Sequence, residues 1–428
     1  MKRNDTCALV LCGMLAATGC GDSEPPGTSA LEPLSLAPRF AVVSSDFSSS
    51  SIGVFDADFE PLAESWINSG TSFPGLVAAL SGDVVLPNRQ AGDGTLAFLD
   101  RLGTDVASRF FVPSGNLDGQ VRTQGEIGDV GFSSNPQDFV FVDETSAWVT
   151  RFGVNQDPDA SPENQGTDLL EIDPSTMMRT GATIDLSSLN TTITVMTDDG
   201  PSEETVYARP NRAVLVGTTL IVGLDRLTLD FVAGPGLFAV VDLLTQDVEG
   251  IPLPDGLVNC GNATPVPDSP NSVVIACLGP TRSEEPEVRA GAGVVLLTVD
   301  GTEATIGTTW RASTVPTSGI AVNHLVVIDE DRVAGVDWGD FDTGAGDVLW
   351  VTTLSSGAQF AVHESSGAFN IGISAYDPSG QTIFVPDASE DANAVFEYAI
   401  ESDAATEIRT IEIAPSLGLP PRRAYYLE

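Results

Sequence analysis

Val42-Val43-Ser44-Ser45-Asp46 is the first copy of a pattern that recurs along this chain, a short apolar run that closes on a small or polar residue. Six later segments align with it: Val84-Val85-Leu86-Pro87-Asn88, Trp148-Val149-Thr150-Arg151, Ile221-Val222-Gly223-Leu224-Asp225, Val273-Val274-Ile275-Ala276-Cys277, Val333-Ala334-Gly335-Val336-Asp337 and Ile383-Phe384-Val385-Pro386-Asp387. A second apolar run follows each copy after a loop. In five units this second run ends in aspartate: Asp56, Asp100, Asp173, Asp242 and Asp300. The chain therefore repeats one unit seven times.

Each unit reads as a set of β-strands. The runs are short, they are bounded by turn residues, and almost no window shows the apolar spacing of a helix. A third apolar run follows the second. A further strand precedes the first run, so the first run is the second strand of its unit. This opening strand often begins with proline, as at Pro136 and Pro210. Four strands in about 44 residues is the size of a propeller blade. The sequence predicts an all-β fold, a seven-bladed β-propeller of four-stranded antiparallel blades.

The two ends of the chain are expected to close this ring. The first unit lacks an opening strand, whereas Pro421-Arg422-Arg423-Ala424-Tyr425-Tyr426-Leu427 reads like the opening strand that begins at Pro210 and has no unit left to open. We therefore predict that the C-terminal strand becomes the innermost strand of the first blade, which removes the open edge of the ring.

The repeat units resemble the YVTN-type repeats of bacterial surface and secreted propellers, in which one apolar strand ends in Asn or Asp and a later one ends in Asp. The resemblance covers about residues 38–428. It implies the propeller fold. It leaves the activity open, since proteins with such repeats include surface proteins and scaffolds, and lactonase-like enzymes have a similar architecture.

The N-terminus has the features of an export signal. Lys2 and Arg3 precede an apolar segment over residues 8–17 that is too short to span a bilayer, and Ala17-Thr18-Gly19-Cys20 leads into a polar stretch. This resembles the bacterial lipoprotein signal, which implies cleavage before Cys20 and lipidation of Cys20. We expect a signal peptide over 1–20, a flexible linker over 21–38 and the propeller over 39–428, held at the cell envelope on the periplasmic or outer side.

The chain is strongly acidic. It carries 19 basic against 60 acidic residues, a formal net charge of −41. Such a surface repels nucleic acid and anionic lipid, so no nucleic-acid partner is expected and the N-terminal lipid is the only membrane attachment implied. The expected partners are an envelope protein, a glycan or a cation, bound by a monomer. The acidity is also explained by solubility alone.

Two cysteines remain once Cys7, Cys12 and the lipidated Cys20 are set aside. Cys260 and Cys277 would lie in an oxidising compartment, where a disulfide between them is the natural expectation. The alternative is that both are ligands of a metal site. No other cysteine or histidine lies near either in sequence, which disfavours that alternative.

Loop lengths identify one face of the predicted disc as the binding surface. Loops from the second to the third strand and loops between blades emerge on the same face. The long inserts belong to this group: 152–167, 227–236, 279–293 and 338–346 within blades, and 113–135, 187–208 and 253–263 between them. Long loops on a rigid scaffold are where binding residues concentrate.

Polar residues at equivalent strand ends are expected to form a ring at the mouth of the central channel: Asp46, Asn88, Arg151, Asp225, Asp337 and Asp387. The ring could attract a cation or a polar ligand. Alternatively, each Asp or Asn closes its own turn through hydrogen bonds to the backbone.

One acidic loop is a candidate calcium site. Asp337, Asp340, Asp342 and Asp347 alternate with glycine in a stretch that partly matches an EF-hand loop, although the terminal glutamate is absent. Residues 155–159 and 387–393 are weaker versions. A solvated acidic loop is the competing interpretation of all three.

Catalytic motifs are lacking. His324 and His363 are the only histidines, and neither lies in a motif that pairs a nucleophile with a base. The sequence favours a noncatalytic, lipid-anchored binding or scaffold module that uses its loop-rich acidic face. The alternative is a calcium-dependent propeller hydrolase or lactonase with Asp225, Asp337 and Asp387 as metal ligands.

Overall fold

The chain folds into the predicted seven-bladed β-propeller. A computed structural model describes residues 31–101, 103–124, 132–157, 159–161, 164–197, 200–280, 291–312, 322–414 and 416–427. Within these residues the strands form seven four-stranded antiparallel sheets and one separate two-stranded hairpin. A 3-10 helix at Ser187–Leu189 lies before the hairpin.

The strands follow one another blade by blade. The first blade contains β1 (Phe40–Ser45), β2 (Ser50–Phe55) and β3 (Pro61–Asn68), and the second contains β4 (Val84–Val85), β5 (Thr95–Asp100), β6 (Val106–Phe111) and β7 (Asn116–Arg122). The third contains β8 (Pro136–Phe141), β9 (Ala147–Val154), β10 (Gly166–Asp173) and β11 (Met178–Asp185), and the hairpin is β12 (Thr191–Thr197) with β13 (Gly200–Val206). The fourth contains β14 (Pro210–Val216), β15 (Thr219–Leu224), β16 (Leu237–Asp242) and β17 (Val248–Pro252).

The remaining blades repeat the order. The fifth contains β18 (Asn262–Val266), β19 (Ser269–Leu278), β20 (Ala292–Asp300) and β21 (Glu303–Arg311). The sixth contains β22 (Asn323–Val327), β23 (Arg332–Asp337), β24 (Val348–Thr353) and β25 (Gln359–Glu364), and the seventh contains β26 (Ala375–Asp377), β27 (Thr382–Asp387), β28 (Ala394–Ile400) and β29 (Ala405–Glu412). The last strand is β30 (Pro421–Tyr426).

The C-terminal strand closes the ring as predicted. β30 pairs antiparallel with β1, so that Phe40 lies opposite Tyr426, and it is the innermost strand of the first blade. The Phe40 ring contacts Tyr426 at 5.5 Å and Phe384 of the seventh blade at 4.6 Å between ring centroids. The first blade thus contains both ends of the propeller.

Burial explains the wholly apolar runs of the repeat. The second strands β1, β5, β15 and β27 are buried along their full length because a neighbouring blade covers each face of the sheet. The outer strands β11 and β29 mix exposed and half-buried residues. In the described residues seven apolar clusters occur, one between each pair of adjacent blades. The apolar core of the described residues therefore consists of interfaces between adjacent blades, arranged in a ring.

The end of the expected linker packs on the propeller. The N–H of Leu31 donates to the Gly115 carbonyl at 3.0 Å, and the indole N–H of Trp66 donates to the Glu32 carbonyl at 3.0 Å. Leu31 and Leu34 are buried in the apolar cluster between the first two blades. Residues 31–34 of the expected linker therefore lie against the propeller, because their leucines pack into that apolar cluster.

The second blade differs from the alignment of repeats. β4 is its innermost strand and β5 its second strand, so the assignment of Val84 to Asn88 as a second strand is wrong. β4 pairs for only two residues, Val84 opposite Asp100 and Val85 opposite Leu99. The Gln90 side chain then completes the sheet edge, because its amide accepts from the Ala97 N–H at 2.8 Å and donates to the Ala97 carbonyl at 3.1 Å.

Candidate functional site

The long loops lie on one face of the disc, as their positions in the repeat require. Successive antiparallel strands reverse direction, so the loops after second strands and the loops between blades share a face. Residues 155–165, 225–236 and 338–347 follow second strands, and residues 186–209 connect the third blade to the fourth. We call this the loop-rich face and the opposite side, with its short connections, the hairpin face.

The central channel is occupied by the chain itself. After β4 the segment 86–90 leaves its blade and enters the channel, and we call it the channel plug. The Asn88 N–H donates to Asp138 Oδ1 at 3.0 Å, and Asn88 Nδ2 donates to the carbonyls of Ala263 at 2.8 Å and Ala213 at 3.3 Å. These three partners belong to the innermost strands of the third, fourth and fifth blades. Asn88 therefore lies inside the channel.

Two of the predicted ring residues close turns. The N–H groups of Ser48 and Ser49 donate to Asp46 Oδ1 at 2.9 and 2.7 Å, and these hydrogen bonds lower the pKa of this exposed carboxyl. The buried Asp387 likewise accepts from the N–H and the hydroxyl of Ser389, at 2.8 and 2.6 Å. Both carboxylates are hydrogen-bonded to their own loops.

Arg151 and Asp225, two further members of the predicted ring, are buried. The Arg151 guanidinium is fully buried and pairs with Asp168 through two hydrogen bonds of 2.6 and 2.5 Å. Asp225 Oδ2 accepts from Asn211 Nδ2 at 2.9 Å, and Asp225 Oδ1 has no hydrogen-bond partner within the described residues. Burial raises the pKa of Asp225 to about 6. A Cβ on Gly261 would lie 1.9 Å from Asp225 Oδ1, so only glycine fits beside it.

The acidic loop after β23 does not bring its four aspartates together. Asp337 is the last residue of β23. Asp340 is exposed and caps a turn by accepting from the N–H of Asp342 at 2.7 Å. Asp347 is fully buried, and its carboxylate accepts four backbone N–H groups, those of Gly339, Phe369, Asn370 and Ile371, at 2.6–2.8 Å. Among the residues described, no three His, Cys, Asp or Glu side chains are placed to hold a metal ion.

A buried network that the repeat pattern does not reveal joins the sixth blade to the seventh. His363 Nε2 lies 2.8 Å from Asp387 Oδ2, and His363 Nδ1 lies 2.8 Å from Tyr398 Oη. Ser389 contacts the carboxylate of Asp387 rather than the imidazole, so the group lacks the nucleophile–base contact of a hydrolytic triad. The network therefore joins the sixth blade to the seventh.

His324 lies near the loop-rich face beside Trp338. Its Nδ1 is 3.3 Å from the Ile371 carbonyl, and its ring is 5.7 Å from the Trp338 ring. Burial, with a further contribution from the charge of Arg423, lowers the pKa of His324 to about 4. The imidazole is therefore uncharged at neutral pH.

Four exposed aromatic residues gather on the loop-rich face. Trp338, Phe341 and Phe369 are 39%, 75% and 46% exposed, and the Phe369 ring lies 5.1 Å from each of the other two. Phe47 is 71% exposed and lies under the Arg422 guanidinium at 4.9 Å, while Arg422 also donates to the Phe369 carbonyl at 3.1 Å. These four residues, the aromatic cluster, span the sixth, seventh and first blades.

The predicted disulfide between Cys260 and Cys277 is confirmed. It connects the loop before β18 to the end of β19, on the loop-rich face. Both sulfurs are buried and bonded to each other, so they are not metal ligands.

The predicted lipidation site, Cys20, lies outside the described residues. Within the part of the chain that the structure describes, no helix has the length and apolar character needed to cross a membrane.

Comparisons with known proteins show a likeness in fold alone. No protein-family model matches this chain, and no curated protein matches its sequence. A candidate 6-phosphogluconolactonase from Bacteroides fragilis aligns with a TM-score of 0.51 at 10% identity, over 95% of this chain and 100% of that chain. A hypothetical selenium-binding protein from Sulfolobus tokodaii aligns with a TM-score of 0.52 at 9% identity, over 90% and 93%. The shared feature is the propeller architecture.

Proposed function

We propose that this chain is a noncatalytic, lipid-anchored binding module of the cell envelope, and that its loop-rich face binds positively charged groups of a partner protein. The observation that supports this proposal is the aromatic cluster. Single exposed apolar side chains are ordinary on protein surfaces, whereas mutually contacting aromatic rings on one face are typical of an interaction site.

Charge selects the class of partner. Asp340 and Asp342 are exposed in the same loop as Phe341, and the chain carries a net charge of −41. Aromatic faces attract ammonium and guanidinium groups, and nearby carboxylates add to this attraction. A lysine- or arginine-bearing segment therefore suits the cluster better than an anionic ligand.

The polar groups around the channel support a noncatalytic role. The channel plug occupies the channel, and the carboxylates of Asp46, Asp347 and Asp387 are engaged by backbone N–H groups or by His363. No contact among the described residues favours a calcium-dependent hydrolase or lactonase.

The path of the N-terminal segment supports an orientation for the anchored protein. Leu31 and Leu34 bond to Gly115 and Val112, which lie in the β6–β7 connection on the hairpin face. Residues 21–30 can extend for at most about 35 Å beyond that point. A lipid on Cys20 would hold the hairpin face toward the membrane and leave the loop-rich face toward the partner.

Binding is tested with an acetylated penta-arginine amide and the fluorescence of Trp338, the exposed tryptophan, since Trp350 is half-buried and the other three tryptophans are buried. We expect saturable binding that weakens at least tenfold in a Phe341→Ala, Phe369→Ala double variant. The matched control is Phe111→Ala, an exposed phenylalanine on the hairpin face, which should bind as the parent does. Equal binding by all three proteins, or none by the parent, contradicts the proposal.

The anchor is tested separately. The full chain, expressed in a bacterial host, should incorporate labelled palmitate and sediment with membranes, and Cys20→Ser should abolish both. A Cys7→Ser variant, altered within the signal, should still incorporate the label. Label in the Cys20→Ser protein would contradict lipidation at Cys20.

A further inference from the structure

The β12–β13 hairpin projects from the connection between the third and fourth blades, on the loop-rich face. Its strands pair only with each other among the described residues, in a register that sets Thr194 opposite Glu203 and Thr197 opposite Gly200. Most of its side chains are exposed or half-buried. Among the residues that the structure describes, each strand of the hairpin therefore has one edge without a backbone partner.

The register determines which backbone groups point away from β13. Thr197 pairs with Gly200, only three positions further along the chain, so this closing pair must exchange hydrogen bonds, and bonded pairs alternate with unbonded ones from there. The N–H and C=O groups of Thr192, Thr194 and Met196 consequently point outward. Within the described chain these three N–H groups have no hydrogen-bond partner.

β12 is unusual among the edge strands of this protein. Natural sheets protect their outer edges with charged residues, proline or bulges. Each outer blade strand carries at least one acidic residue: Glu64 in β3, Asp118 in β7, Asp185 in β11, Glu249 in β17, Glu303 in β21, Glu364 in β25, and Glu407 and Glu412 in β29. The outward edge of β13 carries Pro201 and Glu203. β12 reads Thr-Thr-Ile-Thr-Val-Met-Thr, with no charge, no proline and no glycine.

Charge indicates what could occupy this edge. Copies of this chain, with a net charge of −41 each, repel one another. Glu203 and Glu204 on the adjacent strand attract a positively charged segment. An extended polypeptide with a neutral or basic sequence therefore fits the edge better than a second copy does.

We propose that β12 is a strand-addition site that binds an extended, neutral-to-basic segment of another protein through its outward backbone groups. Such binding draws affinity from main-chain hydrogen bonds and specificity from alternate side chains. This surface is separate from the aromatic cluster and does not depend on it.

The test uses a labelled peptide of alternating threonine and valine with an arginine at each end, titrated against the full mature chain. Thr194→Pro removes an outward N–H and should weaken binding at least tenfold. Thr205→Pro is the matched control, since Thr205 lies opposite Thr192 in another unbonded pair, so this change removes an outward N–H only from the other edge and keeps Glu203 and Glu204. It should bind within about threefold of the parent.

A second peptide distinguishes binding through backbone hydrogen bonds from binding through charge. It is tested on the parent protein, so a folding defect of a variant cannot explain the result. The same peptide, N-methylated at alternate residues, keeps its arginines and should bind the parent at least tenfold more weakly. Equal affinity for both peptides, equal loss in both variants, or concentration-dependent self-association lost in Thr194→Pro would overturn the proposal. If peptide binding falls in the Phe341→Ala, Phe369→Ala variant but not in Thr194→Pro, strand addition fails while the proposed function stands.

Discussion

His363 Nε2 lies 2.8 Å from Asp387 Oδ2, and this contact connects the outermost strand of the sixth blade to the second strand of the seventh. Burial alone would raise the pKa of Asp387, but hydrogen bonds from His363 and Ser389 outweigh it and hold that pKa below its ordinary value of 3.8. The carboxylate is therefore ionised and accepts from Nε2. Burial raises the pKa of Tyr398 to about 12, so its hydroxyl stays protonated, 2.8 Å from His363 Nδ1.

Replacing His363 with leucine should lower the free energy of unfolding by about 2 kcal/mol at pH 7, because a buried carboxylate loses a partner. Since the folded pKa of Asp387 is depressed, this contribution is present at neutral pH and is lost as the pH falls through that lowered value. Urea denaturation at pH 7 and at a series of lower pH values down to pH 2 measures the change. Tyr398→Phe, which removes only one hydroxyl, should cost about 1 kcal/mol. A loss that does not diminish in acid would contradict the role given to Asp387.

Asp225→Asn should stabilise the protein above neutral pH. The pKa of Asp225 is raised to about 6 by burial, so the folded state binds a proton more tightly than the unfolded state, and stability falls as the pH rises toward and through that value. Asparagine avoids this cost, which amounts to at most about 3 kcal/mol. Denaturation at pH 8 should show the gain, and denaturation at pH 4 should show almost none. An equal effect at both pH values would mean that packing is responsible.

Changes at Asn88 should reveal how firmly the channel plug is held. Asn88→Ala removes hydrogen bonds to two inner-strand carbonyls and should cost about 1–3 kcal/mol. Asn88→Asp keeps the size but places a second carboxylate beside the buried Asp138, so its cost should be larger. Chemical denaturation orders the two variants. If aspartate were tolerated better than alanine, the position of Asn88 in the channel would be wrong.

The Cys260–Cys277 disulfide should contribute about 3 kcal/mol, since it closes a loop with a sequence separation of 17 in the unfolded chain. A reducing agent should lower the thermal midpoint of the parent. A Cys260→Ser, Cys277→Ser double variant should start at the lower midpoint and stay there when the agent is added. A further fall in the double variant would assign the effect to something else.

The repeat made the fold predictable. Each second strand is covered by blades on both faces, so β1, β15 and β27 had to be apolar over several consecutive residues, and that pattern is visible in sequence. The closing strand was predictable because Pro421 to Leu427 resembles the opening strand at Pro210. The disulfide was predictable because only two cysteines remain beyond residue 20.

The site was less predictable because its contacts join distant parts of the chain. β4 is an inner strand although its apolar run resembles a second strand, and the strand order of the folded sheet distinguishes the two. The β12–β13 hairpin lay within a segment predicted as an inter-blade loop. Its β-branched run followed by Asp198-Asp199-Gly200 was the available signal.

By itself the sequence determined most of the blade strands, their sevenfold repetition and the closure of the ring, because burial between blades imposes a local pattern on these strands. Only the tertiary structure decided which polar and aromatic side chains meet. Asn88 contacts three inner strands, His363 contacts Asp387, and Trp338 and Phe341 contact Phe369. These pairings depend on how neighbouring blades are rotated and how their loops are placed. Strand patterns do not encode those relations, since residues far apart in sequence become neighbours only when the ring closes.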